Sequence, residues 1–266
     1  MATLVQNDKP VTVDPLRHSA PLGAVLAFLG VARCMPVLHS SQGCAAMVKV
    51  LLTRHFRESI PLQTSALTEV TTILGSGDSL LEGITTVTDR QQPDLIAVIT
   101  TGLVDACGED VPRTLRLRSP RPPPVVLAAV SDLDGGLEQG YATAVEALIE
   151  ELVLPRAGAA IDNQVTLLPG PALSPLDVEE LRETAEAFGL RTVVLPDPSR
   201  SLDGHLDDDW EPLLSGGTPL SAVAVAGRSG SVLAIGASLA PAARMLAGGD
   251  AWTVPHAVGL DASDAL

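Results

Sequence analysis

Aromatic side chains are nearly absent from this sequence. Phe, Tyr and Trp make up 2% of its 266 residues, although hydrophobic residues make up 46%. The core must therefore be aliphatic, a composition that suits buried parallel strands. Cysteine is scarce, with three residues. A chain of this length buries roughly 70–75% of its unfolded surface and needs no disulfide staples. A small, odd set of cysteines fits a reducing, cytoplasmic setting, where thiols are inert, catalytic or metal-binding. No run of ~18 apolar residues is free of polar interruption, so no membrane span is expected. Residues 1–20 show no apolar segment of a secretory signal. Positive charge is also in short supply: 17 Lys and Arg against 32 Asp and Glu give a net charge of −15. Such a chain repels phosphate backbones and anionic membranes. No GxGxxG follows a strand, and GxxxxGK[ST] and GxSxG do not occur. The fingerprints of dinucleotide, nucleoside triphosphate and hydrolase chemistry are therefore missing.

What is present is an alternation of strands and helices. "PLGAVLAFLGVA" (21–32) predicts a helix with Pro21 in its first turn, and "CMPVLH" (34–39) a short buried strand. "SSQG" reads as a turn. "CAAMVKVLLTRHF" (44–56) reads as a helix with Ala45, Val48, Leu51 and Leu52 on one face. Ser79 and Glu82 form a candidate capping box for a helix over 79–91. A strand over 93–101, a loop over 102–110, a strand over 122–130 and an amphipathic helix over 136–153 follow. The character changes at 155–162. A first α/β domain is expected over 1–158 and a second, incomplete one over 159–266. In the second, strands at 164–170, 191–197 and 230–236 alternate with helices at 174–190 and 238–248. The first of these helices has Ser174 as cap, Pro175 at its start, an apolar stripe of Val178, Leu181, Ala185 and Phe188, and Gly189 at its end. The alternation implies an α/β fold with Rossmann-like parallel sheets flanked by helices. Ligands in such sheets sit beyond the carboxyl ends of the strands.

Five groups of residues are candidates for chemistry. Cys44 follows Gly43 at an expected helix start, where the helix dipole favours a thiolate, the form that binds metals and acts as a nucleophile. A buried, inert thiol is the plainer reading. Cys34 and His39 bracket a strand five residues apart, so they point to opposite faces and do not join Cys44 in one zinc site. Cys107, in "DACGED", is read as a loop cysteine that could approach Cys44, although three acidic neighbours disfavour a thiolate there. Arg54, His55 and Arg57 make a small basic cluster, read either as a solvated helix end or as a contact for an anionic group. "LDDDW" (206–210) is a candidate hard-cation loop, or simply a solvated one.

Several stretches occur in a familiar order: "VDPLRHSAPLGAVLAFLG" (13–30), "HSSQGCAAMVKVLLTRHFRESIP" (39–61), "LTEVTTILGSGDSLLEGI" (67–84), "ITTGLVDACGEDV" (99–111), and "LPDPSRSLDG" through "GGT" (195–218). Together they resemble the β-type subunits of the nitrogenase molybdenum-iron protein superfamily, over nearly the whole chain. The resemblance implies a nitrogenase component 1 type fold, normally of three α/β domains, so this chain looks shortened. In the nitrogenase β subunit three cysteines of these segments ligate the P-cluster. The matching positions here are Ser19, Cys44 and Gly102. Retention of Cys44 alone, with "TTGL", is similar to the β-type half of the NifE–NifN family of cofactor-assembly scaffolds.

That resemblance implies a [4Fe–4S] cluster shared with a NifE-like α-type subunit, which would supply three thiolates while this chain supplies Cys44. It also implies a heterotetramer that matures the iron-molybdenum cofactor precursor, with NifB as its donor and the nitrogenase iron protein NifH in support. The cofactor site would lie mainly in the partner, and this chain would be a scaffold subunit and not an enzyme. Cys107 inherits no ligand role, and Cys34 and His39 would be scaffold. Two other readings are a subunit of a dark-type protochlorophyllide or chlorophyllide reductase, and a stand-alone thiol enzyme using Cys44.

Overall fold

Short apolar runs become buried parallel strands in the computed structural model, which describes residues 18–118, 122–131, 135–154, 160–205, 211–248 and 251–255. Helix α1 (Ala20–Leu29) leads into β1 (Cys34–Leu38), α2 (Gln42–His55), β2 (Gln63–Thr64), α3 (Glu69–Leu74) and α4 (Gly77–Gln91). Next come β3 (Leu95–Ile99), α5 (Gly102–Cys107), α6 (Val111–Arg116) and β4 (Val125–Ala128). After α7 (Leu137–Leu152), a second series comprises β5 (Ile161–Pro169), α8 (Pro175–Ala187), β6 (Arg191–Val194), α9 (Leu220–Val225), β7 (Ser229–Ile235), α10 (Ala240–Ala247) and β8 (Trp252–Val254). Each series forms a four-stranded parallel sheet, in the orders β2-β1-β3-β4 and β6-β5-β7-β8. In both, the chain starts on an inner strand, steps outward, then returns to the other side. That reversal opens a crevice at the carboxyl ends, between β1 and β3 and between β5 and β7. Among the described residues no helix is long and apolar enough to cross a membrane.

Both faces of the first sheet are covered, as its continuous apolar strands require. Cys34 and Leu38 of β1 face a cluster that includes α1 and α7, whereas Met35 and Val37 face one that includes Leu80, Ile84 and Val87 of α4. The first cluster continues without a break into Leu168, Val193 and Val232 of the second sheet. Helices α1 and α7 approach until their backbones touch. A Cβ on Gly23 would stand 1.9 Å from the Leu137 carbonyl oxygen, and one on Gly140 would stand 1.9 Å from that of Ala20. The two series are also joined by backbone bonds: the Gly30 carbonyl accepts from the amides of Asp197 and Thr218, each at 2.9 Å. The "GGT" stretch makes this junction: Thr218 supplies one of these amides, and a Cβ on Gly217 would lie 2.8 Å from the Gly30 carbonyl oxygen.

Four local expectations need correction. Helix α2 begins at Gln42, so half of "SSQG" is helical. Helix α4 begins at Gly77 behind Ser76, which places Ser79 and Glu82 inside it and not in a capping box. The expected loop over 102–110 contains α5, a six-residue helix that buries only Val104 and so lacks a periodic signal. Phe188 lies past the last turn of α8, as its C-cap, and is 82% exposed. The expected boundary after residue 158 and the acidic stretch 206–210 lie outside the described residues.

Candidate functional site

Three helices of the first series start at one edge. Helices α2, α3 and α5 begin directly after the carboxyl ends of β1, β2 and β3. Helix α1 reaches the same edge from the other direction. The short turn between Leu29 and Cys34 reverses the chain, so the start of α1 lies by the end of β1. The loops after β1 and β3 converge as their strand order predicts: the buried hydroxyls of Ser40 and Thr101 are hydrogen bonded at 2.9 Å. Cys44 is the third residue of α2, beside this crevice, and is exposed. The hydroxyl of Ser41 does not cap the helix and instead donates to the Cys44 sulfur at 3.4 Å. Among the described residues no histidine or carboxylate bonds to this sulfur.

Ser19 and Gly102 stand at the starts of α1 and α5. Ser19 is the cap of α1, its hydroxyl accepting from the Leu22 amide at 3.4 Å. A Cβ at Gly102 would meet Ser131 Oγ at 3.5 Å, an ordinary contact, so glycine is not sterically required there. Thus one position holds an occupied hydroxyl, one holds no side chain, and one holds an accessible thiol. Cys107 is the last residue of α5, about 7.5 Å along the helix from Gly102. Cys34 is buried, and burial pushes its thiol well above the usual range. Among the described residues no group of three or more His, Cys, Asp or Glu side chains could hold a metal.

The helices that begin at this edge also carry exposed apolar side chains. Met47 and Val50 on α2, Val70, Ile73 and Leu74 on α3, and Leu103 on α5 are all exposed, Ile73 and Leu74 by 82% and 81%. Helix α3 buries none of its residues. The sequence reading missed this face, though Val70, Ile73 and Leu74 fall at helical spacing.

Beneath it lies a polar network that was also missed. His39 is wholly buried. Its Nδ1 bonds Ser65 Oγ at 2.8 Å, and its Nε2 stands 3.4 Å from Ser76 Oγ and 3.3 Å from Glu109 Oε2. Ser76 also donates to Glu109. Burial lowers the His39 pKa, and the neighbouring Glu109 carboxylate opposes that shift. His39 therefore ties the end of β1 to the turns around α3 and α5. No local signal marks the network, because its members are spread over 71 positions from residue 39 to residue 109. Arg54, His55 and Arg57 are exposed at the opposite end of α2, with the His55 ring set edge-on to Phe56 at 4.8 Å.

The family described as nitrogenase component 1 type oxidoreductase matches residues 19–266. The chain belongs to that family. Its curated relatives include the nitrogenase iron-molybdenum cofactor biosynthesis protein NifN of Nostoc sp. (strain PCC 7120), 41% identical over 97% of this chain and 58% of the relative. NifN of Klebsiella pneumoniae is 38% identical over 100% of this chain and 60% of the relative. The chain therefore spans less than two thirds of the length of these relatives. Among solved structures, "Nitrogenase Cp1 at pH 6.5" superposes with a TM-score of 0.89 at 26% identity, over 98% of this chain and 58% of that one. The parallel α/β architecture expected from the family resemblance is the one observed.

Proposed function

We propose that this chain is the β-type part of a NifE–NifN-like scaffold on which the iron-molybdenum cofactor precursor is matured before transfer to nitrogenase. One observation carries the reading: an exposed cysteine at a helix start, at the crevice of the first sheet, set beside an exposed apolar face. A [4Fe–4S] cluster needs four protein ligands. Cys44 is the one exposed cysteine at a helix start on that edge, so the chain fits a shared cluster and not one of its own. Cys44 would be its ligand from this side, and three thiolates would come from a NifE-like α-type partner. Such a cluster supplies one-electron chemistry. The chain's own part is to present the sulfur from the first turn of α2 and to exclude water with Met47, Val50, Ile73 and Leu74. Names such as NifN among the relatives support this assignment over a tetrapyrrole reductase. Among the described residues no base is bonded to Cys44, which weighs against a stand-alone thiol enzyme. The precursor donor NifB and the iron protein NifH would act on the assembled complex.

The test is anaerobic co-expression with a NifE-like subunit and an iron count on the purified complex. Cys44→Ala should lower or labilise one cluster's worth of iron while leaving the pair assembled. Ile73→Asp with Leu74→Asp should weaken pairing by about tenfold or more. A pair whose iron is indifferent to Cys44→Ala would remove the ligand role, and failure of the wild-type chain to pair would remove the scaffold reading.

A further inference from the structure

At the end of α2 away from Cys44, about 16 Å along the helix, a cleft of about 390 Å³ is open to solvent. Its volume falls within the range of small-molecule sites, ~300–1,000 Å³. Leu22 and Leu26 of α1, Phe56, Tyr141 of α7 and Leu173 form its apolar walls. The segments just beyond β5 and β6, at Gly170 and Pro196, close another side. The cleft thus sits at the carboxyl edge of the second sheet, where open α/β sheets bind ligands.

Arg54 gives the lining a positive charge, opposite in sign to the net charge of the chain. The sequence has 32 acidic residues, yet among the described residues none lines the cleft, whereas His18, Arg54 and His55 all do, and all three are exposed. Other polar groups there are already engaged. The Tyr141 hydroxyl donates to the Pro169 carbonyl at 2.9 Å. The start of α8 is closed by reciprocal bonds between Ser174 and Asp177. A negative head group would therefore be met by Arg54 and His55, held on the last turn of α2.

We propose that this cleft binds a small organic carboxylate, with its hydrocarbon body against Leu22, Leu26, Phe56 and Tyr141 and its head group at Arg54 and His55. The site is separate from Cys44 and does not depend on the scaffold reading. Phenylpropionate is the probe, titrated into the purified chain by calorimetry and by ligand-detected NMR, with its neutral amide and inorganic phosphate as comparisons. The carboxylate should bind at one site, more tightly than the amide, and phosphate should not compete. Arg54→Gln with His55→Gln should weaken it about three- to tenfold. Leu51→Trp, at an exposed position on the rim, should block it while leaving the melting curve unchanged. The proposal is overturned by the absence of saturable binding at millimolar concentrations, by equal binding of the amide, or by indifference to the Arg54 and His55 substitutions.

Discussion

Two glycine-to-alanine substitutions should have opposite effects on stability, because one glycine faces backbone and the other faces open space. Gly140 lies inside α7 against the first turn of α1. A methyl group there would stand 1.9 Å from the Ala20 carbonyl oxygen, 2.5 Å from its carbon and 2.7 Å from its Cα. Contacts between carbon and its neighbours settle near 3.5 Å, so the helices must part by about 1.5 Å. No rotamer can relieve a clash with backbone. A gap of about 0.5–1 Å already forfeits a quarter to a half of each dispersion contact, and this crossing belongs to the core shared by both sheets. Overpacking of this kind costs about 1–3 kcal/mol or more, and alanine's better helix propensity returns about 1 kcal/mol. With the lost packing added, the expected net loss is about 3 kcal/mol, or a fall of about 6–12 °C in Tm. Gly83 in α4 has nothing within 4 Å of its Cβ direction, so Gly83→Ala should gain up to about 1 kcal/mol. Thermal denaturation followed by circular dichroism, with urea titration for ΔG, measures both. A Gly140→Ala variant that melts at or above the wild type would refute the close crossing.

The remaining expectations concern buried charge and thiols. Arg182 is buried and donates twice to Asp197, at 2.9 and 2.7 Å, with Glu179 and Ser199 as further partners. Asp197→Ala should cost about 3–5 kcal/mol in urea unfolding, because it strands most of a buried cation's pairing, whereas Arg182→Met with Asp197→Leu should cost less. The His39 pKa is lowered from 6.5 by burial, so below about pH 6.5 the unfolded chain takes up a proton before the folded one does. This contribution to stability is full above that value and is lost as pH falls toward the folded pKa. His39→Gln should flatten that part of the pH–stability profile, and an unchanged slope would refute the assignment. Iodoacetamide on the native protein should modify Cys44 and Cys107 but spare Cys34 until denaturant is added, as read by peptide mass spectrometry.

Much of the chain was legible at the level of single elements. The run "SPLDVEELRETAEA" carries a cap, a first-turn proline and a helical stripe, and α8 starts where those signals put it. Three strands of the first sheet, β1, β3 and β4, were legible as short apolar runs, whereas the two polar residues of β2 were not, and Cys34 and His39 do fall on opposite faces. Phe188 misled because its spacing continued the stripe past the point where the helix ends. Ser76, and not Ser79, precedes α4, and its hydroxyl is drawn into the His39 network instead of capping. The family resemblance rested on "SQGC" and on the basic and acidic residues of "RHFRESIP" in their order, a pattern specific enough to survive a low aromatic content and two missing cysteines.

By itself the sequence determined what is decided within a few residues: helical and strand periods, caps, and the placing of a cysteine just inside the start of α2. Propensity, capping and alternation all act over one or two turns, so they can be read without knowing the rest of the chain. Tertiary structure alone decided which of these pieces meet. The Ser40–Thr101 bond that joins the two loops beside Cys44 spans 61 positions, and the Gly23–Gly140 crossing that fixes the start of α1 spans even more. Parallel strands are paired through long crossovers, so each such meeting depends on where an entire βα unit packs. The cleft under Arg54 and His55, assembled from five separate segments, exists only once that packing is complete.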